Sequence, residues 1–490
     1  MKILTAEQMR EADQRAIAAG VPSLVLMENA GCRAVEFLEK RCAPLARQRI
    51  VVVCGKGNNG GDGLVIARQL WTRFRPASLD VLLASAPEEF HGDAKINWDH
   101  LKALGIPWTR LIEPRMRAAT LVIDALLGTG LRGPAEGRAA ELIGEMNGGF
   151  PAATLVSVDV PSGLHPLGES VHAAHTITFE AWKTETALPP GCNRCGEVTV
   201  APIGIPPAFI AANPAFWLEM VEPKMFAALL GPRACDAHKG KFGHVQVIGG
   251  AQGKGGAAAM AGAAALRAGA GLVTVATDPR ELGAVTMRVP ELMTADWDDP
   301  LTGRDVLAIG PGLGREREAA DLARSLFDNA GMPAVFDADA LNALPLEVIN
   351  GSGHARVLTP HPGEMSRLTG FDVAAIQAER VAIAREYSRQ RAVTVVLKGQ
   401  RTVIALPDGR VFVNPTGSPA MAKAGSGDIL TGLIAGMLAQ FPSSLAEAVL
   451  AAVWLHGRCG ELGAAELGEQ ALAATDLLSF LPAAMRDARA

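Results

Sequence analysis

Short β-branched and aliphatic runs alternate with helical stretches along nearly the whole chain, and no other feature limits its fold so strongly. In the first half, residues 50–54, 79–84, 121–125 and 154–158 read as strands, with helices from Gly63, from Glu88 and near Ala135 between them. That order predicts a parallel sheet covered by helices on both faces. Two helices precede it: residues 6–19, opened by Thr5 and Gln8 as a capping box, and a second with Pro22 near its first turn that runs to about Lys40. Between Pro202 and Pro223 the prolines interrupt the pattern and suggest a linker. The alternation then resumes at 244–248, with an alanine-rich helix, strands at 272–276, 306–309, 334–337 and 393–397, and a hairpin of 402–406 with 410–413 across Pro407-Asp408-Gly409. Three helices finish the chain, beginning near Asp428, Ser443 and Gln470.

A length of 490 residues exceeds what one hydrophobic core normally serves. The expected architecture is α/β, with two three-layer α/β/α domains over residues 1–215 and 224–490. A formal charge of −5, one tyrosine and 5% aromatic residues leave no basic footprint and little to stack on bases, so nucleic acid is not expected as a partner. The apolar stretch 257–277 is alanine- and glycine-rich and carries Arg267, which suits a buried helix and strand, not a membrane span. Seven cysteines without framework spacing, and no apolar signal core at the N-terminus, point to a reducing cytoplasm. The lone Cys192-Asn193-Arg194-Cys195 lacks the second pair of a zinc site and the helix start of a redox motif.

Two glycine-rich loops, each ending in an aspartate and each placed before a helix, carry the chemistry: Asn58-Asn59-Gly60-Gly61-Asp62-Gly63 and Gly425-Ser426-Gly427-Asp428. Amides at a helix start hold anions, and a neighbouring carboxylate can move protons. Gly55-Lys56-Gly57-Asn58-Asn59-Gly60 formally matches the dinucleotide fingerprint, but the next strand ends without the ribose-binding acid. Lys254 is not a P-loop lysine, because Ile248 stands where the first glycine belongs and no Ser or Thr follows it.

The longer string from Gly57 to Gly63, followed in order by Asp124-Ala125-Leu126-Leu127-Gly128-Thr129-Gly130-Leu131-Arg132-Gly133, Val158-Asp159-Val160-Pro161-Ser162-Gly163, Thr178-Phe179 and Lys183, resembles the NAD(P)H-hydrate epimerase domain. The resemblance implies a Rossmann-like fold. It also implies substrate contacts from Asn58, Asn59, Gly60, Gly61 and Asp62, and from Gly128, Thr129, Gly130, Leu131, Arg132, Gly133 and Pro134. A potassium ion near Asn59, Asp124 and Ser162 is implied as well, with Asp159 catalytic at the nicotinamide end. On their own residues, Asp124 also suits a turn cap and Asp159 an Asx turn. Lys183 reads either as a charge beside the altered ring or as a solvated lysine at a strand end.

In the second half, Gly310-Pro311-Gly312-Leu313-Gly314, Asp337-Ala338-Asp339-Ala340-Leu341-Asn342, Thr359-Pro360-His361-Pro362-Gly363-Glu364, Lys398-Gly399 and Ala422 through Gly432 fall in the order of the ADP-dependent NAD(P)H-hydrate dehydratases. These are a ribokinase-like family. The resemblance implies that Ala257, Gly312, His361 and Asp428 face the hydrated cofactor, with Asp428 as catalytic base. Lys398, Gly399, Gln400, Arg401, Thr402 and Gly427 would contact the nucleotide, ADP, with magnesium. His361 could equally brace its proline-flanked turn, and Asp428 could be an ordinary N-cap. The family often has a bulky residue just before Gly256-Ala257, where this chain has Gly255.

Taken together, these resemblances imply a bifunctional enzyme acting on hydrated NADH and NADPH, of a family that commonly forms symmetric homo-oligomers. The competing readings are a small-molecule kinase in the second half and a non-catalytic nucleotide-binding module in the first.

Overall fold

A computed structural model describes residues 1–131, 133–165 and 167–489. The chain forms two compact units, Met1–Phe216 and Trp217–Ala490.

The first unit is built on a seven-stranded sheet in the order Trp108–Thr109, Ser78–Leu83, Arg49–Cys54, Leu121–Ala125, Thr154–Val158, His175–Phe179, Glu197–Ala201. Every pairing is parallel. Successive side chains of Arg49–Cys54 serve opposite faces: Ile50, Val52 and Cys54 join the core under Ser23–Arg41 and Asn58–Arg73, while Val51 and Val53 join the one that includes Leu142 and Ile143 of Gly137–Gly148. The chain leaves Arg49–Cys54 toward one edge of the sheet and returns to Leu121–Ala125 on its other side. That reversal opens a crevice at the carboxyl ends of these two strands, where α/β sheets place ligands.

The second unit holds a ten-stranded sheet ordered Leu218–Met220, Val411–Val413, Val403–Ala405, Thr394–Leu397, Arg356–Leu358, Ala334–Phe336, Val306–Ile309, His244–Ile248, Leu272–Ala276, Met293–Ala295. Only the pairings made by Val403–Ala405 are antiparallel. The alanine-rich stretch forms the helix Gly255–Ala268, which packs against Ser426–Gln440 almost backbone to backbone. A Cβ placed on Gly432 would stand 2.0 Å from the carbonyl of Ala261. The helix that carries Asp428 is therefore seated on bare main chain.

Several expectations need correction. The helix expected from Gly63 begins at Asn58, so the glycine-rich string is the first turn of the helix itself. The helix expected from Glu88 is a single 3-10 turn, Pro87–Glu89, followed by Gly92–Ala103. The proline-rich segment is not a simple linker. Leu218–Met220 within it pairs in parallel with Val411–Val413 and forms the edge of the second sheet, which the expected boundary at 224 would leave out. The capping box is present, with Thr5 Oγ1 accepting from Gln8 N at 3.2 Å and Gln8 Oε1 accepting from Thr5 N at 3.0 Å. Among the described residues no helix is long and apolar enough to cross a membrane.

Candidate active sites

The crevice of the first unit is a cleft of about 780 Å³. Asn58, Asn59 and Asp62 reach it from the first turn of Asn58–Arg73, Gly128, Thr129, Gly130 and Leu131 from the loop after Leu121–Ala125, and Asp159 from the end of Thr154–Val158. Gly61 N already donates to Gly57 O at 3.0 Å, which leaves the amides of Asn58, Asn59 and Gly60 as the unpaired start of the helix. Gly60 and Gly61 do not line the cleft. A Cβ on Gly60 would lie 1.8 Å from Gly55 O, and one on Gly61 2.6 Å from the thioether of Met27, so these glycines let the turn close. Gly133 and Pro134 also lie off the cleft lining, and Arg132 falls outside the described residues.

Asp124 is fully buried and accepts four hydrogen bonds, from Leu126 N, Ser157 Oγ, Ser162 N and Ser162 Oγ. It thus caps the following turn and also holds Ser162 in place. Ser162 Oγ in turn accepts from Leu127 N at 2.8 Å, and Asn59 Nδ2 donates to Leu127 O at 3.0 Å. That leaves Asn59 Oδ1 buried without a hydrogen-bond partner. An orphaned amide oxygen beside a carbonyl, a hydroxyl and a carboxylate is a donor set that suits a hard monovalent cation.

Asp159 adopts a left-handed backbone, φ 66°, which aims its carboxylate into the cleft. Lys183 is 1% exposed, so the solvated alternative for it is excluded. Its ammonium lies 3.0 Å from Asp159 Oδ1 and donates to Phe179 O at 2.6 Å. Asp62 is pushed well above the usual carboxylate range by burial and by the negative charges of Asp159 and Asp13. Asp13, on the helix Ala6–Ala18, was not singled out by sequence reasoning although it lines the same cleft.

In the second unit the motif residues follow the carboxyl ends of adjacent strands. Asp428 is the third residue of Ser426–Gln440, whose N-cap is Gly425, so it is not the cap. Burial and the neighbouring Asp337 carboxylate push Asp428 up to about 6, with Lys398 opposing. Asp337 is 2% exposed; its Oδ1 lies 2.6 Å from Lys398 Nζ and its Oδ2 accepts from Thr431 Oγ1 at 2.9 Å. Lys398 Nζ also stands 3.8 Å from Glu364 Oε2, and burial, which would depress the ammonium, is outweighed by Asp337 and Glu364. A Cβ on Gly427 would lie 3.4 Å from that ammonium, so the helix amides and the lysine converge. His456, pushed down to about 4 by burial, meets Ser426 Oγ as a neutral ring at 3.3 Å.

Of the four residues expected at the hydrated cofactor, the structure sets Gly312 and Ala257 side by side. A Cβ on Gly312 would lie 3.2 Å from that of Ala257 and 2.8 Å from Lys254 O. Lys254 reaches Asp339 at 3.7 Å, and Asp339 acts on Asp428. Glu364 links Lys398 to the His361 turn by accepting from His361 N at 2.8 Å. His361 does brace that turn, its Nδ1 accepting from Gly363 N and Glu364 N. Gly399 through Thr402 form a separate turn in which Thr402 Oγ1 donates to Gly399 O at 2.9 Å, Arg380 donates to Leu397 O and Lys398 O just before it, and the Lys398 ammonium points away to Asp337. At Gly255 any side chain would meet Glu281, whose Oε2 would lie 2.6 Å from the added Cβ.

Lys398→Met would leave Asp337 buried with no cation, a change that typically costs ~3–5 kcal/mol. Calorimetry is expected to show the second unit melting lower by about 2–4 °C for each kcal/mol lost.

An amide cradle, a buried lysine–aspartate pair and a raised carboxylate at the carboxyl edge of a mostly parallel sheet define a ribokinase-like enzyme, here joined to a Rossmann-like unit with its own anion cradle. The model of the YjeF-related protein N-terminus matches residues 23–185, and that of NAD(P)H-hydrate dehydratase matches residues 245–483. The bifunctional NAD(P)H-hydrate repair enzyme Nnr of Moorella thermoacetica is 42% identical, over 99% of this chain and 97% of its own, and that of Escherichia coli K12 is 34% identical over 97% and 92%. A crystal structure of the ADP/ATP-dependent NAD(P)H-hydrate dehydratase from Bacillus subtilis, co-crystallized with ATP and Mg2+, is 35% identical and covers 55% of this chain and 98% of that one, with a TM-score of 0.52. The chain belongs to the bifunctional NAD(P)H-hydrate repair enzymes.

Proposed function

We propose that the first unit interconverts the R and S epimers of hydrated NADH and NADPH at the Asp159 cleft, and that the second dehydrates the S epimer with ADP at Asp428. What carries this reading is that each unit sets a carboxylate against the amide-bearing start of a helix, at the carboxyl edge of its sheet. In the second unit Asp428 takes the proton of the hydroxyl on ring C6, the amides near Gly427 and the Lys398 ammonium meet the transferring phosphoryl group, and the 399–402 turn meets the nucleotide. Phosphate then leaves C6 and the ring double bond returns, giving NAD(P)H, AMP and phosphate. Amides aimed at developing charge contribute about 3–4 kcal/mol each in comparable sites. Magnesium would ride on the nucleotide's phosphates, with waters and one or two carboxylates completing its shell.

In the first unit Asn59, Asp124 and Ser162 would hold potassium, which supplies fixed positive charge beside the phosphate-binding amides. Seven cysteines free of disulfides suit work in the cytoplasm.

The test is to give the full chain an R/S mixture of hydrated NADH, with potassium and magnesium, and follow the reduced-nicotinamide absorbance with ADP, with ATP or with neither. Complete recovery of NADH with ADP is expected. Recovery of the S fraction alone would remove the epimerase reading, and a stable phosphorylated product would turn the second unit into a kinase.

A further inference from the structure

The family model for the first unit begins at residue 23, yet the cleft has a wall that precedes it. The strand Ile3–Leu4 pairs in parallel with Trp182–Lys183, Leu4 opposite Lys183. The Thr5 capping box then turns the chain directly into Ala6–Ala18. Along that helix Ala6, Met9, Arg10, Asp13 and Ile17 recur at one-turn spacing, and all five line the cleft. The register of two short strands therefore fixes where the Asp13 carboxyl stands.

Around the cleft the acids divide by what they touch. Asp159 is held by the Lys183 ammonium at 3.0 Å and by Thr178 Oγ1 at 3.3 Å. Glu180 is spent on structure, its Oε1 accepting from the amides of Ile203, Gly204 and Ile205. Burial pushes Asp13 up to about 6; Lys183 opposes, while Asp159 and Glu180 add to the rise. Arg10, on the same helix, Asp62, on Asn58–Arg73, and Lys56, Asp93, Glu136 and Arg138 are the other charged groups that line the cleft. A proton-carrying carboxyl and an ion-paired carboxylate in one cleft are the two halves of an acid–base pair.

We infer that Asp13 is a catalytic residue of the first unit, the acid that protonates the C6 hydroxyl of the hydrated nicotinamide while Asp159 serves as the base. The inference rests on the epimerase reading above. Asp13 gives its proton to the hydroxyl oxygen; the C6–O bond breaks, its electron pair leaves in water, and the ring nitrogen lone pair forms the C6=N bond of an iminium ion. Water then adds to the opposite face of C6, its electron pair makes the new C6–O bond, and Asp159 takes the released proton. Return of that proton to Asp13 through the cleft restores the site. No oxidant or reductant is consumed.

The experiment uses the full chain without ADP and measures R-to-S conversion of hydrated NADH by chromatography. Asp13→Asn is expected to lower kcat by about 100-fold or more, with KM little changed. The wild-type rate is expected to fall as pH rises through about 6, where Asp13 loses its proton, and that fall should vanish in Asp13→Asn. Asp13→Glu, which keeps the carboxyl, is expected to restore part of the rate and the pH limb, and it decides the matter if the asparagine variant melts at assay temperature. In heavy-oxygen water the product should carry label at C6. Undiminished kcat in Asp13→Asn, a loss confined to KM, an inactive but folded Asp13→Glu, or unlabelled product would each overturn the inference. A wild-type chain that leaves the R epimer untouched would instead overturn the epimerase reading itself.

Discussion

Asp428→Asn is expected to slow ADP-dependent dehydration of the S epimer by about 100- to 10,000-fold, the usual contribution of a placed general base. R-to-S conversion by the same preparation should be unchanged. The amide cradle at Gly427 and the Lys398–Asp337 pair remain, so the nucleotide should still bind and the loss should appear in kcat. The wild-type rate should fall as pH drops through about 6, because only ionised Asp428 can take the hydroxyl proton. Stability should move the other way. Asp428 holds its proton up to about 6 when folded against an ordinary value of 3.8, so its contribution is fully present below that ordinary value and is lost as pH rises through about 6. At neutral pH, then, the asparagine variant should melt no lower than the parent, and a clear drop in its thermal midpoint would mean that lost activity reflects a damaged fold.

Asp159→Asn should do the reverse, cutting epimerisation by a similar ~100- to 10,000-fold while dehydration of the S form continues. Given an R/S mixture and ADP, this variant should recover only the S share of NADH. Asparagine is the informative replacement because it tolerates the left-handed backbone at this position, whereas alanine would add strain. The substitution also removes the carboxylate from a lysine that is 1% exposed, although Lys183 keeps the carbonyls of Phe179 and Ala181 as acceptors. Some loss of stability in the first unit is therefore expected, and a separate thermal scan distinguishes it from lost chemistry. If either aspartate variant lost both activities while folded, the two reactions would not be confined to separate sites.

The alternation of strands and helices was legible because parallel strands buried on both faces are largely apolar: 50–54 is wholly so, and 121–125 departs from it only at Asp124, where the strand meets the site. The later strands His175–Phe179 and Glu197–Ala201 were missed because His175, Thr176 and Thr178, with Glu197 and Thr199, interrupt the apolar run. The 58–63 string read as a loop on propensity, since asparagine and glycine are poor helix formers. Tight contacts at Gly60 and Gly61 override propensity there. Asp124, Asp159, Lys398 and Asp428 could be picked out because each stands within a dense local motif. Asp13 could not, since within its own helix it looks like any polar residue of an amphipathic segment. Its position depends on Ile3–Leu4 finding Trp182–Lys183 much later in the chain.

The proline-rich crossing between the units has a practical consequence for anyone who cuts the chain there. Leu218–Met220 lies among the prolines, yet it finishes the sheet of the second unit by covering Val411–Val413. A fragment begun just past it would expose a raw strand edge with unpaired amides and carbonyls, the kind of surface that recruits other copies and precipitates. Poor solubility of such a fragment would report a missing three-residue seam, and the remedy is to begin it upstream of Leu218.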